Sequence, residues 1–406
     1  MSVNMSVKQR NMLDVIRTIK FHGPMTKAEI GRNTGLTNVT VNSFINELSK
    51  NQIVYENGVD FSTGGRNAAI FSYNESRYYC LGLFIGISSI KLGLFDFNLV
   101  PVYMKSQDVA LGEMTIEHGL SIIEEFVNAG VSEASVDPDR LAGLGVSAPG
   151  PVNYEKGIII NLVNIPSWKN VPIKQALEKR LGIPTTVDKD TFCNISCLSW
   201  LKPNQNKSVV YLATLDGVGA GVMINGYIHR GQHYVAGEFG HMSMGCNDIV
   251  CNCGKANCTE STVSDTSIVR KAMDALGDGF QSSLNILVKS KGQLSVSDIV
   301  DGAISGDELS REVFTSLTDD FVEMFDRVIK AYDPDKIVFD SSWMRDYPDF
   351  FNSIVDKLFG QSMLIRRDNI EIELNEVDDL FLKGAAALVI AEQFSLSNPH
   401  SLLLRL

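Results

Sequence analysis

One imidazole and three thiols lie close together in the middle of the chain. They are His241, Cys251, Cys253 and Cys258, in the pattern H-x9-C-x-C-x4-C. Zinc prefers four tetrahedral nitrogen and sulfur ligands, and four protein ligands leave no open position for a reactant. Gly254 allows the tight loop that would bring Cys253 and Cys258 to one ion. The pattern predicts a structural zinc site; a set of reduced loop cysteines or a redox pair is the alternative.

Composition and cysteine usage favour a cytoplasmic protein. The chain has 406 residues, of which 44% are hydrophobic and 21% charged, so packed domains are expected. No apolar run approaches the roughly 18 residues of a membrane span, and the N-terminal residues lack the apolar core of a signal peptide. Clustered cysteines in a chain without an export signal favour metal binding over disulfides. We expect a free thiol at Cys246 and core positions for Cys80, Cys193 and Cys197.

Charge is distributed unevenly along the chain. The formal net charge at pH 7 is −12, yet residues 1–55 carry seven Lys or Arg against three Asp or Glu. A basic N-terminal segment on an acidic body indicates that this segment contacts an anion. Ordinary surface variation can produce a charge difference of this size. The residue pattern of the segment therefore has to decide whether it binds an anion.

The N-terminal segment has the spacing of short helices. Apolar residues recur at helical intervals over 9–21, and the His22-Gly23-Pro24 stretch ends that helix. A second helix is predicted over 27–33, because Thr26 and Glu29 are placed to form a capping box at its start. The segment therefore begins with a helix, a break and a short helix.

A third helix carries the candidate DNA-reading residues. Gly35 supplies a turn, and Thr37 can cap a helix over about 38–51 that has one apolar and one polar face. Two short helices joined by a glycine turn are the helix-turn-helix plan, whose second helix enters the major groove of DNA. Asn, Ser and Thr can bond base edges, and a Val methyl can meet a thymine methyl. The base-reading candidates are Thr37, Asn38, Val39, Asn42 and Ser43.

Two short strands are predicted after this helix. Residues 53–55 and 68–71 alternate as strands would, and the Gly64-Gly65-Arg66 turn lies between them. Such a pair forms a wing, from which Arg66 could reach phosphate or the minor groove. A small three-helix domain with a solvated polar face is the alternative, and the glycine turn, third helix and wing together favour DNA binding.

The rest of the chain shows a weak internal duplication. Residues 81–105 and 209–230 each read as an apolar strand, a glycine-containing bend, a second strand, a turn and a third strand. A helical stretch over 116–127 follows the first copy. The repeat suggests two α/β lobes with a cleft between them, where small ligands commonly bind. Two unrelated β-meanders are the alternative.

Three blocks of the sequence resemble the ROK family of sugar kinases and sugar-responsive repressors. They are GVSAPGPVNYEKGIII at 145–160, the stretch 188–190, and GEFGH…CxCGxxxCxE at 237–260, which is highly specific to that family. The resemblance extends from the N-terminal helices to GAAALVIAEQF near the end of the chain. It implies an α/β protein in which a winged helix-turn-helix precedes a two-lobed, actin-like ATPase fold with one structural zinc ion.

The resemblance also implies a division into domains and a sugar ligand. The winged helix-turn-helix would occupy 1–76, the first lobe 77–200 plus about 378–406, and the second lobe, with the zinc loop, 201–377. A hexose-type sugar would bind in the cleft between the lobes. Repressor members of the family carry the additional N-terminal domain that this chain has.

Effector-binding candidates follow from the motif blocks. Asp190 matches the family's catalytic base, and Glu238 and His241 match contacts to sugar hydroxyls. Glu260 matches the acid after the last cysteine, which also contacts sugar. Carboxylates and an imidazole are good partners for vicinal hydroxyls. The family usually has Asn where this chain has Lys189, a cation that would favour an acidic or phosphorylated sugar or would pair with a neighbouring aspartate.

The phosphate-binding loops of the family's kinases are altered here. The first, D-x-G-G-T, reads FIGIS at 84–88, and the second, G-T-G-x-G, reads LDGVG at 215–219, with Asp216 where phosphate oxygens would lie. Near the C-terminus, FDSS at 339–342 replaces the Gly-Gly pair that serves the adenosine. Because phosphoryl transfer depends on positioning and electrostatics, we expect no kinase activity, with Asp190 binding ligand without acting as a base.

The sequence thus predicts a cytoplasmic, sugar-responsive transcriptional repressor. Its N-terminal domain would bind a palindromic operator in double-stranded DNA as a homodimer or higher homo-oligomer, because two-fold symmetry presents two half-sites. Two alternatives stay open: an ATP-dependent sugar kinase with a DNA-binding head, and a regulator controlled by a protein partner in place of a sugar.

Overall fold

The computed structural model describes residues 7–60, 68–162, 165–202, 208–244, 249–362 and 364–394. By its internal contacts the chain divides into two units, the first comprising Met1–Pro203 with Asp379–Leu406 and the second Asn204–Asp378. Arg66, predicted at the tip of a wing, lies outside the described residues. Within the described ranges, no helix combines the length and the apolar character that crossing a membrane requires.

The first unit begins with helices and a small antiparallel sheet. The elements are α1 (Val7–His22), β1 (Met25–Thr26), α2 (Lys27–Thr34), α3 (Asn38–Lys50), β2 (Val54–Asp60) and β3 (Ala68–Tyr73). Strand β3 lies in the middle of the sheet and pairs antiparallel with both β1 and β2. The buried apolar faces of the helices pack together beside it, as the helical spacing in the sequence predicted.

Side-chain caps and a glycine define where these helices begin and end. The Thr26 hydroxyl accepts from the Glu29 N–H at 3.3 Å, while the Glu29 carboxylate accepts from the Thr26 N–H at 2.8 Å, so the predicted capping box is confirmed. Gly35 ends α2 at φ 71°, a left-handed conformation that glycine adopts without steric cost. Thr37 caps α3 by accepting from the Thr40 N–H.

A mixed five-stranded sheet follows in the first unit. The elements, in chain order, are β4 (Tyr79–Ile85), β5 (Ser89–Asp96), β6 (Pro101–Asp108), α4 (Ile116–Ala134), β7 (Leu141–Ala148), β8 (Val152–Asn153), β9 (Ile158–Leu162), β10 (Ile165–Val171), α5 (Ile173–Leu181), β11 (Thr185–Lys189) and α6 (Asp190–Leu201). The strand order is β11-β7-β4-β5-β6, with β11, β7 and β4 parallel. Helices α4 and α5 and the small sheet β10-β9-β8 contribute to the core on one side of this sheet.

The second unit contains a sheet of the same connectivity. Its elements are β12 (Val209–Thr214), β13 (Val218–Ile224), β14 (Tyr227–Ile228), α7 (Glu260–Val263), α8 (Asp265–Gly277), α9 (Leu284–Lys291), α10 (Val296–Ser305), α11 (Glu308–Tyr332), β15 (Lys336–Ser341), α12 (Pro348–Gln361) and β16 (Glu371–Leu374). The strand order β16-β15-β12-β13-β14 repeats that of the first sheet, with an antiparallel meander on one side and two parallel strands on the other. The duplication read from 81–105 and 209–230 is therefore present in the topology.

The last described helix, α13 (Leu380–Gln393), belongs to the first unit and packs on β4, β7 and α6. Glycines make this close packing feasible. A Cβ at Gly145 of β7 would lie 1.8 Å from the Ala385 main-chain oxygen, and one at Gly384 would lie 2.7 Å from the Cys193 carbonyl carbon. Helices α6 and α13 are thus held against each other and against the sheet.

Candidate functional site

The four predicted zinc ligands come together in the second unit. One ligand atom from each of His241, Cys251, Cys253 and Cys258 lies within 4.8 Å of the others. The Sγ atom of Cys251 is 3.6 Å from His241 Nδ1, and the Sγ atoms of Cys253 and Cys258 are 3.6 Å apart. Tetrahedral zinc with bonds of about 2.0–2.3 Å needs ligand separations of about 3.3–3.8 Å, so this donor set fits the ion in chemistry and spacing.

Local main-chain hydrogen bonds shape the loop that carries these ligands. The Cys251 N–H donates to Lys255 O and the Gly254 N–H donates to Cys251 O, both at 2.8 Å. Gly254 has φ 87°, in the left-handed region, which explains why glycine is needed between the thiols. Burial raises the pKa of the Cys251 thiol to about 12, so a nearby cation is required to hold it as the thiolate that binds metal. Cys246 lies outside the described residues.

Glu238 lies on the other side of the same imidazole. Its Oε2 atom is 3.9 Å from His241 Nε2, while His241 Nδ1 faces the Cys251 sulfur. A metal-bound histidine commonly directs its second nitrogen to a carboxylate, which orients the ring. Both side chains are partly exposed, so a hydroxyl-bearing ligand could reach either. This arrangement lets His241 Nδ1 bind the metal while Nε2 faces the Glu238 carboxylate or a hydroxyl of a bound effector.

Glu260 connects the metal loop to the neighbouring strand. Its Oε2 atom accepts a hydrogen bond from the Val218 main-chain N–H at 3.1 Å, and its Oε1 atom lies 3.5 Å from Cys251 Sγ. A Cβ at position 217 would be 2.9 Å from Oε2, so Gly217 leaves room for the carboxylate. Sequence reasoning placed Glu260 in the effector site but missed this link to Val218. Three predicted effector residues, Glu238, His241 and Glu260, therefore surround one loop.

The remaining effector candidates lie in the first unit, where β11 ends and α6 begins. Lys189 is almost fully buried, with Nζ 5.8 Å from the centre of the Phe192 ring. Asp190 is partly buried, and its Oδ1 accepts from the Thr191 N–H at 2.6 Å. Since β11 and β7 are parallel, these residues lie at the edge where both strands end, a usual place for ligand sites.

A buried hydroxyl at this edge was missed from the sequence. Ser147 lies in β7 beside Asp188, and its Oγ is buried with no hydrogen-bond partner among the described residues. The Thr191 hydroxyl at the start of α6 has the same status. Ser147 belongs to the GVSAPG block, so the motif was the signal that could have identified it.

The second altered loop is a carboxylate-rich region. Asp265 accepts from the Ser342 hydroxyl at 2.6 Å and the Trp343 indole N–H at 3.1 Å. Burial raises the pKa of Asp265, and the charge of Asp216 raises it further. The Asp340 carboxylate accepts from the Tyr211 hydroxyl at 2.7 Å. Carboxylates of Asp216, Asp265 and Asp340 therefore lie in or beside the altered segments 215–219 and 339–342.

The first altered loop has an apolar character. The ring of Phe84, where the family's kinases have an acid, packs against Phe381 with centroids 4.9 Å apart. Ile87 is exposed at the adjoining turn, which is closed by the Gly86 N–H donating to Ser89 O at 2.8 Å. Neither side chain can bind magnesium or phosphate.

The predicted base-reading residues share one exposed face of α3. Thr37, Asn38, Val39, Asn42 and Ser43 are all exposed, and Val39 is 82% exposed. The structure adds Lys27, at the start of α2, whose Nζ donates to Asn42 Oδ1 at 2.6 Å. Sequence reasoning missed Lys27, because a contact between two helices leaves no spacing signal. A cation beside an exposed polar helix face suits the approach of a phosphate backbone.

Comparison with known proteins gives a family match and full-length relatives. A family model described as the ROK family matches residues 80–392, so α1 to β3 lie before the match. The xylose repressor of Caldicellulosiruptor bescii is 23% identical over 391 residues, covering 96% of this chain and 97% of that protein. The transcriptional repressor Mlc of Escherichia coli is 24% identical over 406 residues, covering 98% of this chain and 96% of Mlc.

Solved structures share the fold. A ROK family transcriptional regulator, a homologue of E. coli Mlc, superposes with a TM-score of 0.81 at 21% identity and covers 98% of both chains. A ROK glucokinase from Streptomyces griseus, solved with glucose and AMPPNP, gives a TM-score of 0.63 at 21% identity and covers 76% of this chain and 98% of its own. The fold is therefore the mixed α/β, actin-like fold of the ROK sugar kinases and regulators.

Proposed function

Because this chain belongs to the ROK family, we propose that it is a sugar-responsive transcriptional repressor without kinase activity. One observation carries most of the weight: the chain is similar over nearly its whole length to proteins named as repressors, including the N-terminal elements that precede the family match. In this proposal residues 1–76 form the DNA-binding domain, 77–200 with about 378–406 the first lobe, and 201–377 the second.

The N-terminal domain binds operator DNA as a winged helix-turn-helix. Helix α3 enters the major groove, and its exposed residues Thr37, Asn38, Val39, Asn42 and Ser43 read base edges. Arg66 adds a backbone or minor-groove contact, and Lys27 neutralises phosphate next to Asn42. A homodimer or higher homo-oligomer binds a palindromic site, since each half-site takes one copy of α3.

The effector is a sugar or sugar derivative bound by carboxylates and an imidazole. Glu238, His241 and Glu260 surround the metal loop, and Asp190 and Lys189 lie at the strand ends of the first unit. Carboxylates accept hydrogen bonds from vicinal hydroxyls, as an aldose requires. Curated relatives named as xylose and N-acetylglucosamine repressors make D-xylose and N-acetyl-D-glucosamine the first sugars to test, and the glucose-bound glucokinase of the same fold adds D-glucose.

Zinc has a structural role in this proposal. Bound by His241, Cys251, Cys253 and Cys258, it would fix the loop that places His241 next to Glu238 and Glu260. Four protein ligands leave the ion no open position for catalysis. Because the binding of zinc to its four side chains is coupled to folding of the loop, removing the metal disorders both the loop and the effector site beside it.

We propose that the protein does not transfer phosphoryl groups, because side chains in its altered loops do not bind phosphate or magnesium. Asp216 and the apolar Phe84 stand at loop positions that hold phosphate and magnesium in the family's kinases, and Asp265 lies close enough to Asp216 to feel its charge. Without those contacts Asp190 has no aligned phosphoryl group to serve. It therefore binds the sugar and does not act as a catalytic base.

The experiment is a thermal-shift screen followed by operator binding. The full-length chain is screened against D-xylose, D-glucose, N-acetyl-D-glucosamine and their phosphorylated and acidic derivatives, each with and without ATP and magnesium. A ligand that binds the folded state raises Tm, and we expect a sugar alone to do so. Glu238→Ala should lose the shift, whereas Glu312→Ala, at an exposed position of the same unit, should retain it.

The second step measures operator affinity. A duplex is selected from random-sequence DNA with the wild-type chain, and its Kd is measured by fluorescence anisotropy with and without the sugar. Sugar should weaken operator binding by about 5–150-fold, the usual range of allosteric coupling. Turnover of ATP that disappears in Asp190→Asn would contradict the proposal and indicate a kinase, and the absence of any sugar response would indicate control by a protein partner.

A further inference from the structure

Helix α6 runs from a predicted effector residue toward the N-terminal helices. It begins at Asp190, and Trp200 lies in its last turn, about 15 Å away at a rise of 1.5 Å per residue. Most of its side chains are buried: Thr191, Phe192, Cys193, Asn194, Ile195, Cys197, Leu198 and Trp200. Because protein interiors are close-packed, a buried helix of this kind moves as a stiff body.

Lys20 of α1 contacts the far end of this helix. Its Nζ donates to the main-chain oxygen of Trp200 at 2.8 Å and lies 4.8 Å from the centre of a Trp200 ring. The last carbonyl groups of a helix have no partner within the helix, and they form the negative end of its dipole. The Lys20 ammonium supplies a donor and a positive charge at that end, so a contact from α1 completes α6.

Aromatic side chains hold Trp200 within the lobe. Its indole N–H donates to the Phe97 main-chain oxygen at 2.6 Å, and its ring stacks on Phe394 with centroids 5.9 Å apart. Phe97 directly follows β5, and Phe394 directly follows α13. The end of α6 is therefore attached to the sheet and to α13, and the Lys20 hydrogen bond carries its position to α1.

We propose that Lys20 is the positioning residue through which α6 couples the effector site to the DNA-binding helices. This inference rests on the proposed function, since it requires that a sugar contacts Asp190 and that residues 1–76 bind DNA. A sugar that binds Asp190 displaces the first turn of α6. The displacement is passed along the helix to the Trp200 carbonyl and, through its hydrogen bond to Lys20, to α1. Small shifts of packed helices are the usual means by which such signals cross a domain.

The test compares operator affinity with and without sugar in the full-length wild type and in Lys20→Met, which keeps the length of the side chain and removes its amine. D-xylose, D-glucose and N-acetyl-D-glucosamine are the sugars, with the selected duplex as DNA. For the wild type we expect the ratio of the two Kd values to be about 5–150. In Lys20→Met we expect that ratio to fall to within about threefold of unity, with the sugar-induced rise in Tm retained.

Two further variants separate coupling from charge and from simple destabilisation. Lys8→Met removes an exposed cation from the same helix and should keep the wild-type ratio, while Lys20→Arg keeps a cationic donor and should restore most of it. Should Lys20→Met fail to fold, Lys20→Leu tests the same contact, because it also removes the amine that donates to the Trp200 main-chain oxygen; it should lower the ratio.

The outcomes separate failure of the Lys20 coupling role from failure of the proposed sugar-responsive repressor function. A wild type that responds to sugar and a Lys20→Met variant, or Lys20→Leu in its place, that responds equally would overturn the coupling role and leave the proposed function standing. A wild type whose operator affinity is unchanged by all three sugars would overturn both. Loss of coupling in Lys8→Met as well as in Lys20→Met would show that the effect is one of charge, which also overturns the role of this contact.

Discussion

The carboxylate of Glu260 accepts a hydrogen bond from the main-chain N–H of Val218 at 3.1 Å. The other oxygen of the same group lies 3.5 Å from Cys251 Sγ. Glu260 therefore holds the start of β13 and the metal loop together, in addition to its proposed role toward the sugar. A residue with both tasks should affect stability and ligand binding when it is changed.

Replacement of Glu260 by Ala should lower the free energy of unfolding by about 1–3 kcal/mol, because it leaves the partly buried Val218 N–H without an acceptor. It should also abolish the rise in Tm with sugar. Glu260→Gln keeps an oxygen that can accept from Val218, so its stability should stay closer to that of the wild type. Chemical denaturation and thermal shift measure the two effects. Equal stability of Glu260→Ala and wild type would show that the link contributes nothing.

Removal of one zinc ligand should lower both the zinc content and the thermal stability of the protein. Cys251→Ser is expected to lose its stoichiometric zinc and to have a lower Tm, because binding to the four ligands is coupled to folding of their loop. Metal content by mass spectrometry and the sugar-induced thermal shift provide the readouts. Cys246→Ser, which alters the predicted free thiol, is the matched control and should retain one zinc per chain. A Cys251→Ser variant that still senses sugar would refute the proposed role of the metal.

Replacement of Asn42 by Ala should weaken operator binding by about 1–3 kcal/mol, the usual value of a good base contact. The loss should be concentrated at particular base pairs of the duplex, because base contacts, unlike phosphate contacts, carry sequence information. Asn33→Ala removes another exposed amide of the same domain, on α2, and should leave Kd unchanged. The measurement is an anisotropy titration against single-base variants of the selected duplex. Uniform weakening over all duplexes would place Asn42 at the backbone instead.

Replacement of Lys27 by Met should reduce affinity for every duplex to a similar extent. Its Nζ contacts Asn42 on the exposed face of α3, where an approaching DNA backbone would meet it. Removing one cation that neutralises a phosphate should reduce the slope of log K against log salt by about 0.9. Titrations at several salt concentrations give this slope. A loss confined to some base pairs would mean that Lys27 acts by orienting Asn42.

Local features of this chain could be predicted from sequence, because their partners are neighbours along it. The capping box of Thr26 and Glu29 joins residues three apart, and the Cys251–Cys258 loop needs its glycine within the loop itself. The meander that opens each sheet also follows from apolar spacing and turns, whereas the parallel strands β7, β11, β15 and β16 were not predicted. In each case the physical cause acts over a few residues, which a sequence displays directly.

Contacts between distant segments could not be predicted in this way. Lys20 and Trp200 are 180 residues apart in sequence, and neither position departs from an ordinary surface lysine or core tryptophan. The Val218–Glu260 bond and the docking of Gly384 against Cys193 are similar, since tertiary packing chooses the partner. The candidate effector residues were predicted from their family motif. Ser147 within that motif was not singled out, because only the structure shows that its buried hydroxyl has no partner among the described residues.

The burial of Lys20 predicts a pH dependence of stability. Burial and, to a smaller extent, the charge of Arg17 lower the pKa of its amine from 10.5 to about 8, while Cys197 and Asp96 act in the opposite sense. The folded chain therefore releases this proton at a lower pH than the unfolded chain. Between about pH 8 and 10.5 the unfolded state binds more protons, so the contribution of Lys20 to stability rises with pH across that window and is constant below it.

Lys20→Met removes this titration. The difference in Tm between wild type and Lys20→Met should accordingly shift in favour of the wild type as pH increases from 8 to 10, and it should be flat from pH 6 to 7. Lys8→Met, which loses an exposed amine of the same helix, should follow the wild type throughout and so corrects for other groups that titrate at alkaline pH. Thermal denaturation at matched ionic strength measures the three curves. Parallel curves for wild type and Lys20→Met would mean that the Lys20 amine is solvated in the folded protein and does not make the contact to Trp200.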